Sequence, residues 1–152
     1  MVLRRALFPL ALATLCGACA AAVPAPGSPD AQPGGVAFAS PLVSSLSVAP
    51  AGDSVRLTLR VTNGGAQPVR MEFRSGQTYD FAVASGGREV WRWSADRGFT
   101  AALRSETLAA GETRAWSETW RPAAGSRGDF TASARLVSAS HPVEASTPFR
   151  LP

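Results

Sequence analysis

The chain has 152 residues, 45% of them hydrophobic and 17% charged, a length that suits one folded domain with an appendage and excludes a multidomain enzyme. Gly (14) and Pro (12) are dense and lysine is absent, which disfavours long helices and leaves arginine as the source of the +4 formal charge. Those arginines are interleaved with Asp and Glu, so no phosphate-neutralising stripe exists and nucleic acid is not expected as a partner.

Residues 1–22 begin with Arg4 and Arg5, continue through Leu7, Phe8, Leu10, Leu12 and Leu15, and end in Gly17, Ala18, Ala20 and Ala21. A basic head, a short apolar run and small residues are the layout of a secretory signal peptide. The run, interrupted by Pro9, falls short of the roughly 20 residues that a spanning helix needs. Without Arg4 and Arg5 the chain holds 13 arginines against 11 acidic residues, a net charge of +2. Cys16 and Cys19 have CxxC spacing, but a redox pair needs a folded scaffold and a zinc site needs further ligands, which one histidine cannot supply. Cys16-Gly17-Ala18-Cys19 resembles the lipobox of bacterial lipoproteins, with Cys16 where that pattern has leucine. Ordinary cleavage at Ala18-Cys19-Ala20 or Ala20-Ala21-Ala22 is the alternative. The expectation is a signal peptide over 1–19 and a lipid on Cys19, giving an exported, membrane-anchored lipoprotein of the cell envelope, with a periplasmic or secreted soluble form as the alternative. Residues 20–35, AAAVPAPGSPDAQPGG, have no apolar period and read as a tether to a domain over 36–152.

From residue 36 onward, apolar and polar residues alternate with period two in short runs, the pattern of half-buried strands. Leu42, Leu46 and Val48 mark a leading strand. Val55, Leu57, Leu59 and Val61, separated by Arg56, Thr58 and Arg60, place one face in a core and the other in water. Asn63-Gly64-Gly65 ends this run and Pro68 leads into Val69, Met71 and Phe73, which predicts a strand pair with a short connection. Phe81 and Val83 follow, and Ser85-Gly86-Gly87 turns the chain into residues 88–94, a hairpin by its turn chemistry. Residues 95–107 show no strand alternation; Phe99 and Leu103, four apart, suit one face of a short helical turn capped by Ser94. Leu108-Ala109-Ala110-Gly111-Glu112 marks a turn before residues 113–120, in which Trp116 and Trp120 share a face. Phe130, Ala132, Ala134 and Leu136 alternate next, and residues 143–149 form a last strand that Pro148 assigns to an edge or bulge. Seven or eight short strands in two packed antiparallel sheets are expected.

LTLRVTN over 57–63, FRSGQTYDF over 73–81 and EVWRWSADRGF over 89–99, followed by LAAGE over 108–112, carry a family resemblance. The chain resembles the family of the Bacillus intracellular proteinase inhibitor, the BsuPI-like domains, most specifically in Ser75-Gly76-Gln77 before Tyr79-Asp80-Phe81 and in Val90-Trp91-Arg92-Trp93-Ser94. The resemblance implies an all-β, immunoglobulin-like antiparallel β-sandwich. It also implies inhibition of subtilisin-type serine proteinases by a founding member that is cytosolic.

The residues by themselves give no catalytic constellation. His141 has no G-x-S-x-G elbow to serve, and Asp80, Glu89 and Asp96 could supply a carboxylate pair for glycoside cleavage only at a separation that the sequence does not give. Asp80 is expected to cap a turn and Glu89 to face water. No enzyme activity, metal or cofactor is expected. The pairs Trp91 with Trp93 and Trp116 with Trp120 are read as core, because a sandwich without a disulfide needs apolar mass, while Arg92 between two of them either stacks or sits exposed. A substrate-like inhibitor needs an exposed loop fixed at both ends. Residues 95–107 are the first choice, with Arg97 and Arg104 facing outward and Phe99 and Leu103 pinning the middle to the core. Residues 74–79, with Ser75, Gly76, Gln77, Thr78 and Tyr79, are the alternative. The expected partner is a protein, a serine proteinase on the inhibitory reading, with membrane contact only through the N-terminal lipid. The other reading is a non-inhibitory envelope-anchored module that binds a protein or a glycan. The sequence carries no signature of oligomeric state.

Overall fold

The computed structural model describes residues 40–152, so the expected signal peptide, the expected tether and Cys19 lie outside the described residues. Nine strands follow in order: β1 Leu42–Ala51, β2 Ser54–Asn63, β3 Val69–Phe73, β4 Tyr79–Ser85, β5 Arg88–Arg92, β6 Arg104–Leu108, β7 Thr113–Trp120, β8 Gly128–Leu136 and β9 Val143–Leu151. All pairings are antiparallel, in sheets of order β1-β2-β7, β3-β6 and β5-β4-β8-β9, and no helix occurs among the described residues.

The alternation of β2 sets the interior. Val55, Leu57, Leu59 and Val61 are each 0% exposed, and Leu59 lies opposite Leu46 of β1 and Trp116 of β7. On the outer face the hydroxyls of Thr58 and Thr62 bond those of Ser117 and Thr113, each at 2.8 Å. Phe81, Val83, Ala132, Ala134 and Leu136 of the four-stranded sheet, together with Met71, Phe73 and Leu108 of β3 and β6, join the same hydrophobic cluster. Trp120 closes it against Phe130 at 5.3 Å and Phe149 at 6.2 Å. Each large side chain buried this way contributes about 1.5–3 kcal/mol, and the result is a β-sandwich with one core.

Local chemistry accounts for several boundaries. The β4–β5 hairpin turns on Gly86 and Gly87 at φ 54° and 76°, a left-handed pair that matches strand twist. Edge strands β1 and β9 are stitched together by Ser44 Oγ donating to Glu144 O and Thr147 Oγ1 donating to Leu46 O, both at 3.0 Å. Pro148, on edge strand β9, faces Thr131 of β8.

Three expectations are corrected here. β2 and β3 do not pair, because β2 lies between β1 and β7 while β3 pairs with β6. The buried amide of Asn63 ties this crossing connection to the β6–β7 turn, donating through Nδ2 to Gln67 O at 2.8 Å and to Leu108 O and Ala109 O at 3.1 Å. Residues 95–103 form no helix: isolated turns over 93–96 give way to irregular chain that ends in a ninth strand, β6, beyond the seven or eight expected. Arg-Ser-Glu-Thr-Leu has polar residues on both faces, so only pairing with β3 makes it a strand. Third, Asp80 is no turn cap: it lies within β4, 1% exposed.

Candidate contact face

The connection after β3 is shaped by its own hydroxyls and amides. Ser75 Oγ accepts a bond from the Gln77 N–H at 3.2 Å, and Gln77 Nε2 donates to Tyr79 O at 3.1 Å, a local turn that returns the chain into β4. Gly76 N donates to Thr100 O at 2.9 Å. A Cβ on Gly76 would stand 2.8 Å from Thr100 Oγ1 and 3.6 and 3.9 Å from Thr100 N and O, so a larger residue here requires the Thr100 side chain to turn aside.

The connection after β5 opens with turns closed by Ala95 N to Arg92 O at 3.3 Å and Arg97 N to Ser94 O at 3.2 Å. The Arg97 guanidinium lies 4.4 Å from the centre of the Trp93 ring, and its Nε donates to Trp93 O at 3.1 Å. Beneath it an aromatic cluster continues inward. Tyr79 lies 4.6 Å from Trp93, 5.6 Å from Phe81 and 5.8 Å from Trp116, while Phe99 reaches Trp93 at 5.6 Å. Trp91, Trp93 and Trp116 are partly buried against the core and Trp120 is buried, so these rings serve packing rather than a flat sugar platform. Tyr79 donates its O–H to Glu118 Oε1 at 2.7 Å. Burial of the ring, reinforced by that bond to a carboxylate, pushes the phenol up to about 12 from 10.0.

Arg104 binds the two connections into one face, contrary to the expectation that it points outward. Its Nε donates to Ser75 O at 3.1 Å, its Nη2 to Gly76 O at 3.4 Å and to Thr78 Oγ1 at 2.6 Å, and the guanidinium sits 4.2 Å above Phe73. Nη1 pairs with Glu106, which also pairs with Arg114; Arg114 in turn bonds Glu112 at 3.1 Å and Thr107 O at 2.9 Å. The Ala109 N–H and then Arg114 hold the Glu112 carboxyl below its ordinary value. Leu103 departs from expectation in the opposite sense. It was to pin the loop to the core and is instead 85% exposed, on the rim of a groove of about 490 Å³ beside Arg74 and Ser105.

A second charged cluster was not legible in the sequence. Asp80 Oδ2 accepts from Arg92 Nη1 at 2.6 Å and Arg135 Nη2 at 3.2 Å, and Arg92 Nε also bonds Glu89 Oε1 at 3.0 Å. Glu89 first, then Asp80, keep the Arg92 charge even more firmly than usual. Arg92 therefore neither stacks on a tryptophan nor floats free. Asp80 Oδ1 and Trp93 Nε1 are buried with no hydrogen-bond partner among the described residues. The single histidine is equally structural in its setting: His141 Nδ1 meets Ser140 Oγ at 3.0 Å, and Ser140 Oγ also accepts from Glu72 N at 3.0 Å, stitching the post-β8 segment to β3. Among the described residues no three His, Cys, Asp or Glu side chains are grouped to hold a metal.

The model of the BsuPI family, described as intracellular proteinase inhibitor, matches residues 42–141. The chain belongs to the BsuPI family. The match takes in both connections and Arg104, so the face built above lies inside the BsuPI domain proper. No curated protein matches the chain in sequence. Similar solved structures include the β-glucosidase EmGH1 from Erythrobacter marinus, at 13% identity and TM-score 0.42 over 73% of this chain and 15% of that one. A penta-heme cytochrome c552 from Thermochromatium tepidum gives 12% identity and TM-score 0.46 over 72% and 40%, and Spo0M, a sporulation control protein from Bacillus subtilis, gives 15% and 0.40 over 72% and 48%. The BsuPI chain spans less than half the length of each of these proteins.

Proposed function

We propose that this BsuPI chain inhibits a serine proteinase of the subtilisin type by reversible contact at the cell envelope, and that residues 74–79 and 93–104 together form the contact face. The observation that carries the reading is the mutual locking of these connections through Gly76 to Thr100 and through Arg104 to Ser75, Gly76 and Thr78. An inhibitor loop must lose little entropy when it enters a cleft, and bonds made before binding lower that cost. The two loops, which the sequence sets apart as alternatives, are in this reading one surface.

The envelope location rests on the basic head, apolar run and small residues before Cys19, and it separates this chain from the intracellular setting that its family description names. A lipid on Cys19 and the proline-rich tether would hold the domain near a membrane surface. Titration of subtilisin and trypsin with the full chain tests the inhibitory reading, which expects subtilisin activity to fall with the chain in stoichiometric excess. Arg104→Ala is expected to weaken inhibition by about tenfold through loop loosening, with unfolding little changed. Full activity of both proteinases at every ratio would reject the function. Mass spectrometry of membrane-extracted protein tests the anchor; an unmodified N-terminus at Ala21 or Val23 would reject lipidation.

A further inference from the structure

Both arginines that the sequence offers to a partner are engaged within the domain, Arg97 over Trp93 and Arg104 across residues 75–78. The side chain that the same segment leaves free is apolar. Leu103 is 85% exposed, the most exposed of the large hydrophobic residues among the described residues, between Ala102 and the anchored Arg104. A single exposed leucine is ordinary by itself; what sets Leu103 apart is its place between two anchored ends of the same connection.

The backbone around it is fixed at both ends and open between them. Upstream, Thr100 O accepts from Gly76 N at 2.9 Å and Phe99 packs on Trp93 at 5.6 Å. Downstream, Arg104 pairs with Phe73 in the β3–β6 ladder, and its side chain makes the bonds described above. Residues 101–103 carry no helix, turn or strand pairing and are exposed throughout, so their N–H and C=O groups remain available to an outside strand. Ala101 and Ala102 bring no bulk that would keep a cleft wall from this backbone.

We propose that Leu103 is the primary specificity side chain of the inhibitor, entering the large apolar pocket beside the nucleophile of a subtilisin-type proteinase while residues 101 and 102 lie along its cleft. This rests on the inhibitory reading and deepens it by naming the residue that selects the target. Arg104 acts as a positioning residue, since its bonds keep the downstream side of the Leu103–Arg104 peptide in place whether or not the proteinase attacks that bond. Residues 101–103 themselves carry no cation for an acidic primary pocket of the trypsin kind, and the exposed Arg74 lies beside them in the groove rather than at the tip.

The experiment measures inhibition constants of the full chain and its Leu103→Phe, Leu103→Asp and Leu103→Arg variants against subtilisin and trypsin, with Val90→Asp on β5, 49% exposed, as a control for loss of any surface hydrophobe. Leu103→Asp is expected to weaken subtilisin inhibition about 100-fold, Leu103→Phe to retain it within about threefold, and Leu103→Arg to move inhibition toward trypsin. Val90→Asp should match the parent chain. Because Leu103 contributes nothing to the core, unchanged thermal unfolding is expected for all of them and checks that each variant is folded. Parent-level subtilisin inhibition by both Leu103→Asp and Leu103→Arg would overturn this assignment and leave the inhibitory function standing. Failure of the parent chain itself to inhibit would instead overturn the function and the assignment with it.

Discussion

Val55, Leu57, Leu59 and Val61 of β2 are ordered by burial, while residues 74–79 and 93–104 are ordered largely by hydrogen bonds and one arginine. Burial is strong and has no direction, so a core side chain supports the whole sandwich and tolerates a similar shape in its place. Hydrogen bonds are individually weak and strict in geometry, so the contact face gains shape from them more than stability. Change in the core should therefore appear in unfolding, and change in the face should appear in binding.

The largest expected effect tests the core. Leu59→Ala should lower the unfolding free energy by about 2–5 kcal/mol in a urea titration, since the side chain is 0% exposed and its removal leaves a cavity. A near-neutral result would place the functional weight of β2 on its other face. Asp80→Ala comes next, at about 1–3 kcal/mol, because it leaves two arginine heads without their shared carboxylate. That is less than a fully buried pair would lose, as Arg92 and Arg135 keep 33% and 53% of their side-chain surface in water. Replacement by Leu instead of Ala separates lost charge from lost volume.

Gly76→Ala breaks the comparison from the other side. The added Cβ meets Thr100 Oγ1 at 2.8 Å and must displace that side chain from its place between the two connections, so proteinase inhibition should weaken about tenfold while the melting temperature moves little. Adding Thr100→Ala removes that oxygen and leaves the next contacts at 3.6 and 3.9 Å, which predicts recovery of inhibition in the double variant. Without recovery, the close approach of the loops is not what orders the face. A large loss of melting temperature from Gly76→Ala alone would show that face and core are one cooperative unit.

The smallest effect is a titration. Tyr79 is the single tyrosine, so tyrosinate absorbance reports it alone. With the folded phenol at about 12 and an ordinary value of 10.0, the unfolded chain releases the proton first as pH rises. This contribution to stability is complete below pH 10, falls between 10 and 12 and is gone above the folded value. Glu118→Gln should lower the midpoint yet leave it above 10, because burial is the larger cause and the hydrogen bond the lesser. A midpoint at 10 in the parent chain would mean that the aromatic cluster is open to water.

Alternation alone determined the strands β2, β4, β7 and β8, and the turn residues Ser85-Gly86-Gly87 and Leu108 to Glu112 determined where the chain reverses, because side-chain period and backbone freedom are local properties. The letters also carried the BsuPI family through short contiguous blocks. Which strand lies beside which is not local. The period of β2 says that one face is buried and is silent on whether β3 or β7 is its neighbour, and β6, polar on both faces, becomes a strand only because β3 is there to pair with it. The contact face belongs to the same class. Gly76 meets Thr100, Arg104 spans to Ser75 and Thr78, and Asp80 gathers Arg92 and Arg135 across gaps of 12 to 55 residues. In the sequence Leu103 reads as core and Arg104 as surface. Tertiary structure reverses both, because the carbonyls that fix the guanidinium arrive from a segment 28 and 29 positions away, and holding it there leaves the leucine beside it in water.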